Sequence, residues 1–201
     1  MIKTIIFDIG NVLIDFCWQK MFCEFGLKGE AFEKLANATV RHPGWQELDR
    51  GTISTEEVIE MFAKEAPEYR SYIERIYQDP TKMLERYDYS IPWIEELKSR
   101  GYRIYILSNW SKPAYEACVD NALSFLSLVD GVVFSYEELV IKPDKKIYDI
   151  LCQRYDINPE EAVFLDDSEA NIISAREYGL HGIHFKSYEQ GRAELEELLT
   201  R

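Results

Sequence analysis

Five short apolar runs, at residues 2–7, 103–107, 132–134, 162–165 and 182–185, constrain this chain more than any other feature. They are continuous rather than alternating, the pattern of strands covered by protein on both faces. Helical patterns separate most of them. Ser90 and Pro92 open one helix, which carries Ile94 and Leu97 and closes at Gly101. Ile147, Ile150 and Leu151 mark the stripe of another; Ser168 caps a third, which carries Ile172 and Ala175 and ends at Gly179. Strands alternating with helices require right-handed crossovers, so the expected class is α/β with an open, mostly parallel sheet.

The rhythm breaks once. Roughly ninety residues separate the first two apolar runs, far more than one crossover needs. Much of this interval reads as helix. Ser54 and Glu57 form a capping box, followed by Val58, Met61, Phe62 and Glu65 at helical spacing. Residues 19–25, 31–40 and 68–77 read as further helices. The expectation is a helical domain at 16–87 inserted into a core made of 1–15 and 88–201. A length of 201 residues suits one domain with such an insertion.

A net charge of −13 repels a nucleic-acid backbone, which argues against that partner class. It also repels a phosphorylated metabolite unless local cations reverse the field. No apolar run approaches the ~20 residues of a membrane helix, and a charge as early as Asp8 interrupts any signal-peptide core. Cys17, Cys23, Cys118 and Cys152 form no CxxC pair and read as reduced thiols. The cytoplasm is the expected compartment.

Ligands of open α/β sheets bind at the carboxyl ends of the strands, so the residues after each run are the place to look. Asp8 and Gly10 follow the first run, Ser108 and Asn109 the second, Lys142 and Pro143 lie beyond the third and begin a helical segment, and Asp166 and Asp167 follow the fourth. Clustered carboxylates need a cation, and hard oxygen ligands select magnesium. A carboxylate can attack phosphorus to form an aspartyl phosphate. Lys142 would neutralise charge on nucleophile and phosphoryl group, while Ser108 and nearby backbone N–H groups would hold phosphoryl oxygens.

With FDIGNVL, ILSN, IKP and FLDDSEANI in that order, the chain resembles the haloacid dehalogenase superfamily over nearly its whole length. The resemblance implies a Rossmann-like core with a helical cap inserted after the first motif, and a magnesium-dependent phosphatase acting on a small phosphorylated metabolite. It implies Asp8 as nucleophile and metal ligand, the Gly10 carbonyl as second ligand, Asp167 as direct ligand and Asp166 as direct or water-mediated ligand. Ser108 and Asn109 match its phosphate-binding motif and Lys142 its lysine. Most phosphatases of the superfamily carry an acid–base aspartate two residues after the nucleophile, where this chain has Gly10. FDIGNVL resembles a sugar-phosphate branch, including an α-glucose-1-phosphate phosphatase, that shares this glycine. An anomeric hydroxyl leaves readily, so a glycosyl phosphate would depend less on a general acid.

In the insert, Trp45 and Arg50 are candidates for substrate recognition, against packing for Trp45 and a solvated charge for Arg50; His42 reads as structural. Asn11 reads as a turn residue, and Asp8 and Asp167 taken alone would be turn and cap residues. The competing functions are a phosphomutase, which the absence of a carboxylate at Gly10 opposes, a dehalogenase, which needs no metal pair, and a catalytically weak phosphometabolite-binding regulator.

Overall fold

The computed structural model describes residues 1–200. Strands β1 (Thr4–Phe7) and β2 (Ile14–Phe16) lead into helices α1 (Trp18–Glu24), α2 (Gly29–Ala38), α3 (Gly44–Arg50), α4 (Thr55–Glu65) and α5 (Arg70–Gln78), after which β3 (Leu84–Arg86) returns the chain. There follow α6 (Ser90–Ser99), β4 (Arg103–Ser108), α7 (Lys112–Cys118), β5 (Gly131–Phe134), α8 (Ser135–Glu138) and α9 (Lys145–Arg154). The last elements are β6 (Ala162–Asp166), α10 (Glu169–Tyr178), β7 (His181–His184) and α11 (Tyr188–Leu199).

Five strands pair in parallel in the order β5-β4-β1-β6-β7. Successive side chains of the inner strands point to opposite faces. Ile5, Phe7, Ile104, Ile106, Val163 and Leu165 pack with Trp93, Ile94 and Leu97 of α6. Ile6, Tyr105, Leu107 and Phe164 pack on the other face with Ile147 and Leu151 of α9 and Ile172 of α10. Both faces being dry explains why the sequence of these strands does not alternate.

Helices α1 to α5 close over a third cluster built on Phe22, Leu35, Val58, Phe62, Ile73 and Ile76. The Ser54 capping box is formed: Glu57 N–H donates to Ser54 Oγ and Ser54 N–H to Glu57 Oε2. The chain enters and leaves this helical unit along the antiparallel pair β2–β3.

Two local expectations are corrected. Lys142 and Pro143 do not begin a helix; α9 starts at Lys145, capped by Asp144, whose Oδ1 accepts from Lys146 N–H. Ser168 stands at the start of α10 but its hydroxyl makes no cap bond; the Ser168 N–H donates instead to Asp166 Oδ1 at 2.7 Å.

Candidate active site

Because the strands run the same way, their polar end residues meet at one edge. The Asp8 amide donates to Leu165 O at 2.9 Å, carrying the β1–β6 ladder one residue past β1. Ser108 ends β4 and Asp166 ends β6, so the two strands flanking β1 deliver a hydroxyl and a carboxylate beside Asp8. Beyond Asp8 the backbone doubles back on the Ile9 carbonyl, which accepts from Val12, Leu13 and Ile14. Asn11 sits there at φ 55°, a left-handed conformation that asparagine tolerates.

Lys142 is the buried cation of the site. Its Nζ lies 2.7 Å from Asp8 Oδ1, 2.7 Å from Asp166 Oδ2 and 3.0 Å from Leu107 O, so each of its three protons has an acceptor. Burial opposes its charge, but Asp166 and Asp8 outweigh that and hold the ammonium above its ordinary pKa. Asn109 fixes the Lys142 backbone: its Oδ1 accepts from Lys142 N–H at 2.8 Å and its Nδ2 donates to Lys142 O at 3.1 Å. Both ends of the Asn109 amide thus bond the Lys142 backbone, and the residue also borders the cavity above Asp8.

The three carboxylates differ. Asp166 is fully buried and accepts from Lys142, from Ser168 N–H, and from Asn171 Nδ2 at 3.0 Å on each oxygen. Asp167 is more open and accepts from Asn11 Nδ2 at 2.8 Å. Asp8 accepts from Ser108 Oγ at 2.7 Å. Burial pushes the Asp8 carboxyl up to about 7; Lys142 counters this, while the charges of Asp166 and Asp167 add to it. Oxygens of all three lie within 4.8 Å of one another. One ammonium cannot neutralise three carboxylates, and an all-oxygen donor set with excess negative charge fits a divalent ion such as magnesium.

A cavity of about 170 Å³ opens above Asp8 and Asp167, below the roughly 300–1,000 Å³ of pockets for drug-sized ligands, so it suits a compact molecule. Its floor includes Gly10, Asn109 and Trp110; its roof comes from the helical unit through Phe16, Trp45, Leu48, Asp49, Tyr77 and Met83. Trp45 lines it while also packing on Phe16 and Tyr77, with ring centroids 5.7 and 6.2 Å away. Arg50 is not part of the lining; it turns away to Glu47 at 3.4 Å. His42 Nδ1 accepts from Gly44 N–H at 2.9 Å and its ring meets the edge of Phe62, a structural role. His181 and His184 contact the Glu160 and Asp167 carbonyls.

Sequence reasoning missed Asp49. It stands among Gln46, Glu47 and Arg50, which look like a solvated helix face, yet its side chain lines the cavity. Burial raises its carboxyl well above the ordinary range, the charge of Asp8 raises it further, and Lys142 offsets part of this. The available signal was its spacing of four residues from Trp45, which puts both side chains on one face of α3.

Comparisons with known proteins agree with this architecture. A family model described as haloacid dehalogenase-like hydrolase matches residues 2–179. The chain is 25% identical to the sesquiterpene phosphatase astK of Aspergillus oryzae, covering 90% of this chain and 89% of that one. It is 26% identical to the D-ribitol-5-phosphate phosphatase of Bacteroides thetaiotaomicron, covering all of both. The fold matches that of HAD family enzyme bt-2542 from the same bacterium, solved as a magnesium complex, with a TM-score of 0.77 at 21% identity over 100% of this chain and 99% of that one.

Proposed function

Since the chain belongs to the haloacid dehalogenase-like hydrolases, we propose that it is a magnesium-dependent phosphomonoesterase acting through an aspartyl phosphate on Asp8. One observation carries this reading: Asp8 stands at the centre of the strand ends with Lys142 between it and Asp166, and with Asp167 beside them. In this reading the free oxygen of Asp8 attacks phosphorus while Ser108 and Lys142 orient the carboxylate. Lys142 also balances the charge that the phosphoryl group brings in. Asp8, Asp167, the Gly10 carbonyl and Asp166, directly or through water, would hold magnesium, which would neutralise the cluster and polarise the phosphoryl oxygens. Asn109 keeps Lys142 in place, and phosphoryl oxygens fall to backbone N–H groups of the loop after β4.

The substrate in this proposal is a small phosphorylated metabolite with hydroxyl groups, such as a sugar or polyol phosphate. The Tyr77 hydroxyl and Trp110 Nε1 are buried without a partner among the described residues, and both side chains line the cavity. Already unpaired without a ligand, they would each gain a hydrogen bond worth about 0.5–1.5 kcal/mol from a hydroxylated substrate that reached them and none from an apolar one. The name of the ribitol-phosphate relative supports this reading. A second reading, a phosphorylated apolar alcohol, is favoured by the aromatic and aliphatic roof and by the name of the sesquiterpene-phosphatase relative. Trp45 is the proposed surface for the carbon skeleton in either case.

The test is phosphate release from a panel of sugar, polyol and prenyl phosphates, with magnesium or EDTA, beside Asp8→Asn. Release that needs magnesium and disappears in Asp8→Asn is expected, with polyol or sugar phosphates ranked first. Release that persists in EDTA, or none above the Asp8→Asn background, refutes the reading. A ranking led by prenyl phosphates selects the second substrate class.

A further inference from the structure

Building on the phosphomonoesterase reading, we infer that Asp49, supplied by α3 of the helical insert, is the general acid and base of the reaction, occupying in space the role that Gly10 leaves empty in sequence.

In-line displacement at phosphorus sets the leaving oxygen opposite the attacking one. The sheet, Lys142 and Asp166 crowd one side of Asp8, so the leaving oxygen points into the cavity and toward its roof. Three carboxylates line that cavity, and Asp8 and Asp167 belong to the metal cluster. Asp49 is the third. Its carboxylate has no hydrogen-bond or ion-pair partner among the described residues, although its surroundings are apolar. Burial and the neighbouring Asp8 charge favour its neutral, proton-bearing form. Tyr77, near Asp49, is pushed by burial further from acid–base work at neutral pH.

The placement is held from the core side. Ser135 Oγ donates to the Asp49 carbonyl and accepts from the Trp110 amide, tying α3 to the loop after β4. Gly51, at φ 79°, lets α3 end against Tyr136, where a Cβ would come within 2.6 Å of the Tyr136 carbonyl.

The chemistry balances. As the bond from Asp8 to phosphorus forms, the phosphorus–oxygen ester bond breaks, and its electron pair takes the proton of Asp49 to give the alcohol. The resulting Asp49 carboxylate then takes a proton from the water that attacks phosphorus. The Asp8–phosphorus bond breaks, phosphate leaves, and Asp49 is again protonated.

Leaving-group dependence tests this. Phenyl, p-nitrophenyl and benzyl phosphates share a shape but release products of very different basicity. Asp49→Asn is expected to lose about 10²–10⁴-fold on benzyl phosphate, to retain a rapid burst of p-nitrophenolate, and to accumulate phosphoenzyme in acid-quenched samples because water is no longer deprotonated. Gly10→Asp has open space for its Cβ, and in that background the loss caused by Asp49→Asn on benzyl phosphate should shrink. An equal loss on all three esters with no phosphoenzyme, or no loss at all, overturns the assignment; melting curves of each variant separate these results from misfolding. Wild-type protein releasing nothing from any of the three would instead refute the phosphomonoesterase reading itself.

Discussion

Burying Asp8 beside two other carboxylates destabilises the fold, and the cost can be read by linkage. Its carboxyl titrates at about 7 in the folded protein against 3.8 ordinarily, with burial as the main cause. The folded state therefore holds the Asp8 proton more tightly, and the stability this confers is present at low pH and lost as pH rises through 7. Asp8→Asn keeps the shape and removes the charge. In EDTA the variant should be more stable than wild type above pH 7, by roughly 1–3 kcal/mol. The difference should close on acidification toward pH 4, as urea titrations at several pH values would show. A wild-type protein equal to the variant at pH 8 in EDTA would contradict the burial argument.

At the scale of elements, the seven residues of α3 do the most, because they carry Trp45, Leu48 and Asp49 to the cavity. Their position depends on the contact between the end of α3 and α8. Gly51→Ala places a side chain in a left-handed conformation and against a backbone carbonyl, a loss of about 1 kcal/mol or more. The expected result is a lower melting temperature and a kcat/KM on benzyl phosphate reduced at least tenfold, with far-ultraviolet circular dichroism unchanged. Ser54→Ala, which removes the cap of α4 in the same unit without touching Tyr136, should cost about 1 kcal/mol with little change in kcat/KM. If both variants affected turnover equally, α3 docking would not be what positions the roof.

Across the whole molecule, a charge of −13 opposes any phosphorylated ligand, so binding depends on cations gathered at one point. Among the described residues Lys142 is the ammonium that contacts Asp8, and the remaining charge of the trio calls for magnesium. Magnesium bound only to the folded state should therefore stabilise it, by about 2.7 kcal/mol at a hundred times its Kd. For a chain of this length that is roughly 5–10 °C in Tm. The shift should be small in Asp167→Asn, and an equal shift in that variant would place the ion elsewhere. No helix of the described residues is long and apolar enough to cross a membrane.

Much of the core was legible in the sequence. Continuous apolar runs ending at Asp8, Ser108 and Asp166 specify strands dry on both faces, and parallel strands bring their end residues to one edge whatever the details of the loops. The role of Asn11 as a turn residue followed from its chemistry alone. Several side-chain assignments were not legible. That Asn109 bonds the Lys142 backbone, and that Asp166, held by Lys142, accepts from the Ser168 amide, depends on groups brought together from distant parts of the chain. The roof of the cavity belongs wholly to tertiary structure. Asp49 and Arg50 are neighbours on one short polar helix, yet one lines the cavity and the other pairs with Glu47 outside it. A helix encodes its own apolar stripe, but the angle at which an inserted unit docks on a distant surface is set by contacts such as Gly51 against Tyr136, and no local pattern contains them.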